Sequence, residues 1–461
     1  MLLPGVAAGH PATVDAGIEI LESGGTAADA AVAATLASCV AETVMTGLLG
    51  GGHAVYWDQA ERRAWNLDCF VAVPGLGAEP RKLELLHLDV PFGAELVHYA
   101  VGPASCAVPG LPAGLDALRT RFGRLPWADL VEPALRLARE GTDFPPAHAA
   151  CLAMLAPVMT MNEGARIYTP AGRLLEAGAR LEQPGLVAAL ELVRSEGAAC
   201  VYRGSLAEAL LVLLDERGGA LTRDDLDAYH AAWSDAVAAP FRGLRFQTRE
   251  GLSSVPAALA RLPRLRGLGE PERVRALLDA LDDDGVEGHT TNLVAADRDG
   301  NVCVLTTSLG LGSGDFLPGL DLHLNSMLGE ADLVRGRLEP GERMGSMMAP
   351  SIAADGDGPA LALGSAGGTR LRTALVGVAA GILDEGLEPQ AAVDRPRVHR
   401  AGTTVNAEPG VDEGALGALE ASGHTVRRWP DRHHYFGGVS LITRTGAAGD
   451  PRRSGAATVL S

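Results

Sequence analysis

The sequence predicts one interleaved α/β body of 461 residues. Three observations predict it. Helical periodicity dominates roughly the first 280 residues, strand alternation dominates roughly the last 170, and no internal repeat separates the two. With 47% of its residues hydrophobic, the chain can bury a large core.

The elements follow in order. From Pro11 the pattern is helical, with Val14, Ile18 and Leu21 on one face and Gly24-Gly25 as a stop. Thr26 then caps a second, alanine-dense helix, TAADAAVAATLASCVAE, that runs to about Glu42. In TGLLGGGHAVYW, Gly50-Gly51-Gly52 lead into a short strand. That order is not the strand followed by Gly-x-Gly-x-x-Gly of a dinucleotide site. LPAGLDALRTRFG and ADLVEPALRLARE read as amphipathic helices, as does LAEALLVLLDERGG, and Leu221-Thr222-Arg223-Asp224 starts a capped turn. Residues 249–285 give weak element signals. TTNLVAADRDGNVCVLTTSL then reads as a β-hairpin with Asp299-Gly300 at its turn. Gly-rich loops at 310–319 and 364–368, a long helix from about Thr369 to Asp384, and a last strand pair near 424–446 complete the reading.

Composition excludes several function classes. There are 57 Asp+Glu against 39 Lys+Arg, a formal charge of -18, so no basic stripe is available for nucleic acid. Lys82 is the only lysine, and Arg81-Lys82-Leu83 is not the Gly-Lys-Ser/Thr of a phosphate-binding P-loop. No run of 18 apolar residues occurs, so no membrane partner is expected. The six cysteines, Cys39, Cys69, Cys106, Cys151, Cys200 and Cys303, show no zinc spacing. They read as buried thiols in a reducing compartment, and with no leader before Gly5 the expected location is cytoplasmic.

Chemistry narrows to a few residues. No Gly-x-Ser-x-Gly elbow and no His-Glu-x-x-His helix exist. His433-His434, being adjacent, read as a turn beside the last strand. Thr290-Thr291 stand at the mouth of the hairpin. A threonine hydroxyl is a poor nucleophile unless a base lies beside it, and one solution makes threonine the first residue of a chain, its own α-amine serving as base.

The ordered segments AGHPATVDAGIEILESGGTAADAAVAA, TGLLGGGHAVYW, VPGLPAGLDALRTRFGRLPWADLVEPALRLAREG, VYRGSLAEALL, LTRDDLDAYHAAW, HTTNLVAADRDGNVCVLTTSLG, PGERMGSMMAPS, LALGSAGGTRLRTAL, PRVHR and YFGGVSLITRTGAAGDPRRSGAA resemble the γ-glutamyltransferase family of N-terminal-nucleophile (Ntn) hydrolases. The resemblance covers nearly the whole chain and implies an αββα four-layer sandwich, made as a precursor that cuts itself. The body would be a single domain, parted at His289–Thr290 into a large chain, 1–289, and a small chain, 290–461, that stay associated. The resemblance gives Thr290 the part of nucleophile. Its Oγ would attack the His289 carbonyl, breaking the peptide C–N bond to give an ester and the free α-amine, and hydrolysis of the ester would part the chains. Ser308 falls where the family has a threonine that orients the nucleophile. Gly367 and Gly368 match the pair whose N–H groups stabilise the oxyanion. Asn325, Glu330 and Ser346 fall in substrate-binding segments. No metal or organic cofactor is implied, because nucleophile, base and oxyanion donors are all protein groups. The implied partner is a small γ-glutamyl or related acyl amide.

The sequence also departs from the family. Phe70 stands where the transpeptidases carry the arginine that grips the substrate α-carboxylate, and a ring cannot replace a bidentate fork. Met327 replaces a polar residue, Gly310 replaces an asparagine, and Glu330 or Gly329 falls where an aspartate pairs with the substrate amine. REGLSSVP replaces a longer Pro/Ser/Gly loop, and the stretch from there to Thr290 is short. Arg343, Arg370 and Arg372 could supply a fork from another direction, with Arg370, two residues past the oxyanion glycines, best placed. Two alternatives stay open beside the glutamyl reading: an amidase for another acyl group, resembling cephalosporin acylases, and a scaffold that never cleaves.

Overall fold

The computed structural model describes residues 1–78, 83–92, 95–281, 290–334, 336–368 and 370–461. Lys82, His289 and Thr369 lie outside the described residues.

Two antiparallel sheets form the centre. Their strands are β1 (Gly5–Ala8), β2 (Gly51–Asp58), β3 (Arg63–Cys69), β4 (Ala232–Asp235), β5 (Val237–Phe241), β6 (Leu244–Thr248), β7 (Thr291–Ala296), β8 (Val302–Ser308), β9 (Ser351–Asp355), β10 (Gly358–Ala366), β11 (Gly438–Thr443), β12 (Ala447–Gly449) and β13 (Ala456–Val459). One sheet has the order β13-β1-β7-β8-β2-β3-β4, the other β12-β11-β10-β9-β6-β5. Helices α1 (Pro11–Glu22), α2 (Ala27–Ala41), α3 (Leu111–Phe122) and α4 (Trp127–Glu140) cover the first sheet, and α5 (Pro146–Met159) packs at its end. Helices α6 (Val255–Arg261), α7 (Glu270–Ala280) and α8 (Arg370–Ala380) lie on the side of the second.

Side-chain alternation along the strands decides the layering. In β7, Leu293 and Ala295 join the core shared with α1 to α4. Val294 and Ala296 instead meet Ile352, Ala354, Ala362 and Ile442 between the sheets. In the second sheet, Leu361 and Leu363 turn to α8 while Ala362 turns inward. Period-2 burial on both faces of both sheets produces four layers, αββα.

Helix α2 explains how tightly the outer layer can lie. Thr26 closes a capping box with Asp29, and every residue from Ala27 to Ala41 is buried. Small side chains leave room for α1 to pack along it and for β7 beneath.

Several sequence expectations need correction. Residues 249–285 contain α6 and α7, each with proline at its start. Charged residues dilute their apolar face, which is why the pattern read weakly. The long helix ends its α-form at Ala380 and continues as a π turn, Gly381–Glu385. The residues near 424–446 do not form a strand pair. Thr425–Arg428 runs parallel to Thr404–Ala407 in a separate three-stranded sheet, whereas β11 joins β10 and β12. Burial explains the split: Val439 and Leu441 are fully buried against α8, while Thr425 and Arg428 stay exposed.

Candidate active site

The hairpin β7–β8 carries both hydroxyls that the sequence singles out, and its register places them. Thr291 pairs with Thr307 and Asn292 with Thr306. Alternation then sends Thr290 and Thr291 to opposite faces. Thr291 faces the α2 layer, where its hydroxyl donates to Glu42 Oε2 at 2.5 Å. Thr290 faces the other way, and its Oγ accepts the Gly367 N–H at 2.9 Å.

Gly367 holds that N–H in place because it is glycine. Its φ is 125°, a left-handed conformation that other residues rarely adopt, and an added Cβ would sit 2.8 Å from the Gly437 Cα. Gly368 follows at φ 59°. The β10–α8 junction therefore sets one backbone donor, the Gly367 N–H, on the Thr290 hydroxyl.

In front of Thr290 lies a small cavity. Thr290, Ser308, Gly368, Glu330, Ser346 and Phe70 line it, together with Met327, Leu333, Met347, Met348 and Leu371. Eight of the residues named from sequence, with Gly367 counted through its hydrogen bond, thus converge on one place. Ser308 ends β8 on the Thr290 side, and its Oγ accepts the Gly310 N–H at 3.0 Å. Gly310 has a reason to be glycine: at φ 69°, an added Cβ would lie 2.8 Å from Glu330 Oε1 and 2.6 Å from Ser326 Oγ. The small residue at 310 is what allows the Glu330 carboxylate so close. Ser346 is buried, its Oγ accepting the Met348 N–H, and its carbonyl takes the Leu252 N–H and Arg249 Nη1, each at 3.0 Å. The REGLSSVP segment thus buttresses the Ser346 loop from behind.

Two expected substrate-binding residues do not line this cavity. Asn325 is fully buried and occupied by backbone: its Oδ1 accepts the Ala107 N–H, and its Nδ2 donates to the Leu49 and Ala107 carbonyls, all at 2.9 Å. It ties the glycine-rich strand entry to the 107 loop. Arg370 turns away, donating from Nε to the Tyr435 carbonyl and lying over the Tyr435 ring. The other arginine candidates are engaged as well. Arg343 donates to the Phe70 and His230 carbonyls, and Arg372 to the Leu281 carbonyl. Among the described residues, no arginine lines the cavity. Phe70 stacks on the buried ring of His53 at 5.4 Å. Burial, helped by Arg249 and Arg343, pushes His53 well below the usual histidine range, so that ring is neutral.

Sequence reasoning missed what lies behind Thr290. A second, tighter cavity is lined by Thr290, Thr291, Glu42, His148, Asp450 and Arg453, among others. Glu42, just past the end of α2, accepts from Thr13 at 2.7 Å as well as from Thr291. Burial raises its pKa, while the two hydroxyls, His10 and Arg453 pull it down. The available signal is a glutamate closing the alanine-dense helix, which from sequence reads only as a helix end.

Comparison with known proteins agrees with this geometry. The family model described as gamma-glutamyltranspeptidase matches residues 13–282 and 270–460. An Acylase ACY 1 proenzyme of Pseudomonas sp. (strain V22) is 28% identical, covering 96% of this chain and 91% of its own length. A glutathione hydrolase proenzyme of Bacillus subtilis (strain 168) is 25% identical, covering 96% and 90%. Among solved structures, a cephalosporin acylase from Bacillus halodurans shares the fold with a TM-score of 0.85 at 23% identity, covering 100% of this chain and 97% of its own. The matched segments run through both sheets and through the Thr290 hairpin, so this chain belongs to the gamma-glutamyltranspeptidase family.

Proposed function

We propose that the protein is a self-processing amide acyltransferase or amidohydrolase that uses Thr290 through an acyl-enzyme, on an acyl group without an α-carboxylate. The Gly367 N–H on the Thr290 hydroxyl supports the chemistry. Mature Thr290 would pass its hydroxyl proton to its own α-amine and attack the amide carbonyl, with Gly367 and Gly368 receiving the negative oxygen. The amine leaves with that proton, and water or an acceptor amine then takes the acyl group.

The topology supports a cleaved but inseparable pair of chains. Cutting before Thr290 would leave β7 and β8 of the small chain between β1 and β2 of the large one. Each would stay hydrogen-bonded to a large-chain strand, so separation would mean opening the sheet. The six cysteines are free and buried, which supports a reducing compartment.

The cavity lining carries the substrate reading. A glutamyl donor brings a carboxylate and an ammonium, and burying an unpaired carboxylate costs several kcal/mol. Glu330 suits an amine, but beside it stand Phe70, Met327, Leu333, Met347, Met348 and Leu371. Kinetics on matched γ-glutamyl and simple acyl anilides, the latter with no carboxylate on the acyl chain, test this. The donor without the α-carboxylate is expected to have the higher kcat/KM, by at least about tenfold. Phe70→Arg is expected to move the ratio towards glutamyl, with some loss of stability because Phe70 is buried on His53. A wild-type ratio that strongly favours glutamyl would contradict the reading.

A further inference from the structure

Thr290 lies between two cavities of different character: the front one is mostly apolar, and the rear one is charged. We propose that Arg453 and Glu42, in the rear cavity, are a pair of positioning residues that set the basicity of the Thr290 α-amine. The inference rests on the reading that self-cleavage makes Thr290 an N-terminus.

Arg453 is 5% exposed and belongs to the 3₁₀ turn after β12. Its Nη2 lies 3.6 Å from where a Cβ on Gly367 would sit, so the guanidinium lies against the oxyanion glycine. Its Nη1 meets the Met45 sulfur at 2.9 Å, Nη2 reaches the His434 carbonyl at 3.4 Å, and Nε has no hydrogen-bond partner among the described residues. No carboxylate is bonded to it among the described residues, unlike the adjacent Arg452, which is paired with Glu408 and Asp450. A buried cation without a bonded counter-ion is costly. Its field is therefore available to the groups that share the cavity.

Glu42, His148 and Asp450 line the cavity with Arg453, and further titratable groups stand on the elements around it. Glu42 closes α2, His10 begins α1, and His148 and Cys151 lie on α5. Asp450 precedes the C-terminal turn, and Arg370 begins α8. Asp450 is already tied to Arg397 and Arg452. His148 is held neutral, pushed down to about 3 by burial, with His10 and Arg453 adding to the effect. Burial keeps the Cys151 thiol neutral, pushed up to about 12. Glu42 and Arg453 remain as the acid and the base that line the cavity with Thr290.

An α-amine ordinarily titrates near about 7.7, so a large fraction would be protonated, and useless as a base, at slightly acid pH. A nearby cation favours the neutral amine and a nearby anion favours the ammonium. Arg453 thus keeps the base free, while Glu42 stabilises the ammonium formed as the hydroxyl is deprotonated.

The test is the pH dependence of kcat/KM on a simple acyl anilide, with chain masses scored for every variant. Arg453→Met is expected to move the acid limb up by about one pH unit. Arg453→Lys, which keeps the charge, is expected to hold the limb in place. Glu42→Gln is expected to move it down. A merely structural role would lower kcat at all pH values and leave the limb unmoved, and that result overturns the inference. If Arg453→Met does not accumulate as folded protein, Glu42→Gln decides alone, and an unmoved limb overturns the proposal. A wild-type chain that never processes would instead overturn the Thr290 reading on which this one rests.

Discussion

Thr290→Ala is expected to abolish self-cleavage and turnover together. The variant should run as one 461-residue chain, with acyl transfer reduced by about three orders of magnitude or more. The hydroxyl it removes is the one that accepts the Gly367 N–H, and the other threonine cannot substitute. Thr291 points to the opposite face of β7 and is bonded to Glu42. Thr290→Ser keeps a hydroxyl and should still process. Thr291→Ala should process more slowly, because Glu42 loses a donor and the strand beneath Thr290 loses an anchor. Denaturing gels and intact masses of the three variants check this. Normal processing in Thr290→Ala with a dead Thr291→Ala would put the nucleophile one residue later.

Gly367→Ala is expected to lower kcat by about 10²–10³ while the protein still folds. A side chain there is opposed twice, by a φ of 125° and by the Gly437 Cα only 2.8 Å from the new Cβ. Relief of either turns the N–H away from Thr290. The loss should fall on kcat rather than KM, because the donor is needed most when the oxygen carries charge. Single-turnover rates separate this from misfolding. An unchanged kcat would mean that the oxyanion donors lie elsewhere.

Much of this was legible in the sequence, for reasons that particular residues make plain. The β7–β8 hairpin was readable because alternation and Asp299-Gly300 are local signals, and α2 because Thr26 and Asp29 cap it within four residues. The front cavity was legible through the family resemblance, which singled out Thr290, Ser308, Gly367 and Gly368 in segments that end in strands and a turn. The failures were non-local. Asn325 and Arg370 sit in matched segments, yet whether a side chain faces the cavity depends on what packs behind it. Asn325 is consumed by the Leu49 and Ala107 carbonyls, and Arg370 by Tyr435, contacts spanning from 65 to 276 residues. Glu42 and Arg453 were invisible as a pair because they lie at opposite ends of the chain and meet only when α2 and the C-terminal turn close on β7. The pairing of Thr425–Arg428 was misjudged for a similar reason, since its partner is chosen by the burial of β11 rather than by its own pattern.

The central claim is that Thr290 becomes a chain terminus and then the nucleophile. N-terminal sequencing combined with intact mass on the purified wild-type protein tests it most directly. The account predicts two chains that co-purify, one beginning at Met1 and one beginning Thr290-Thr291-Asn292-Leu293, with their masses summing to the whole plus one water. A single species that begins only at Met1 after long incubation, in a protein shown to be folded, would contradict it.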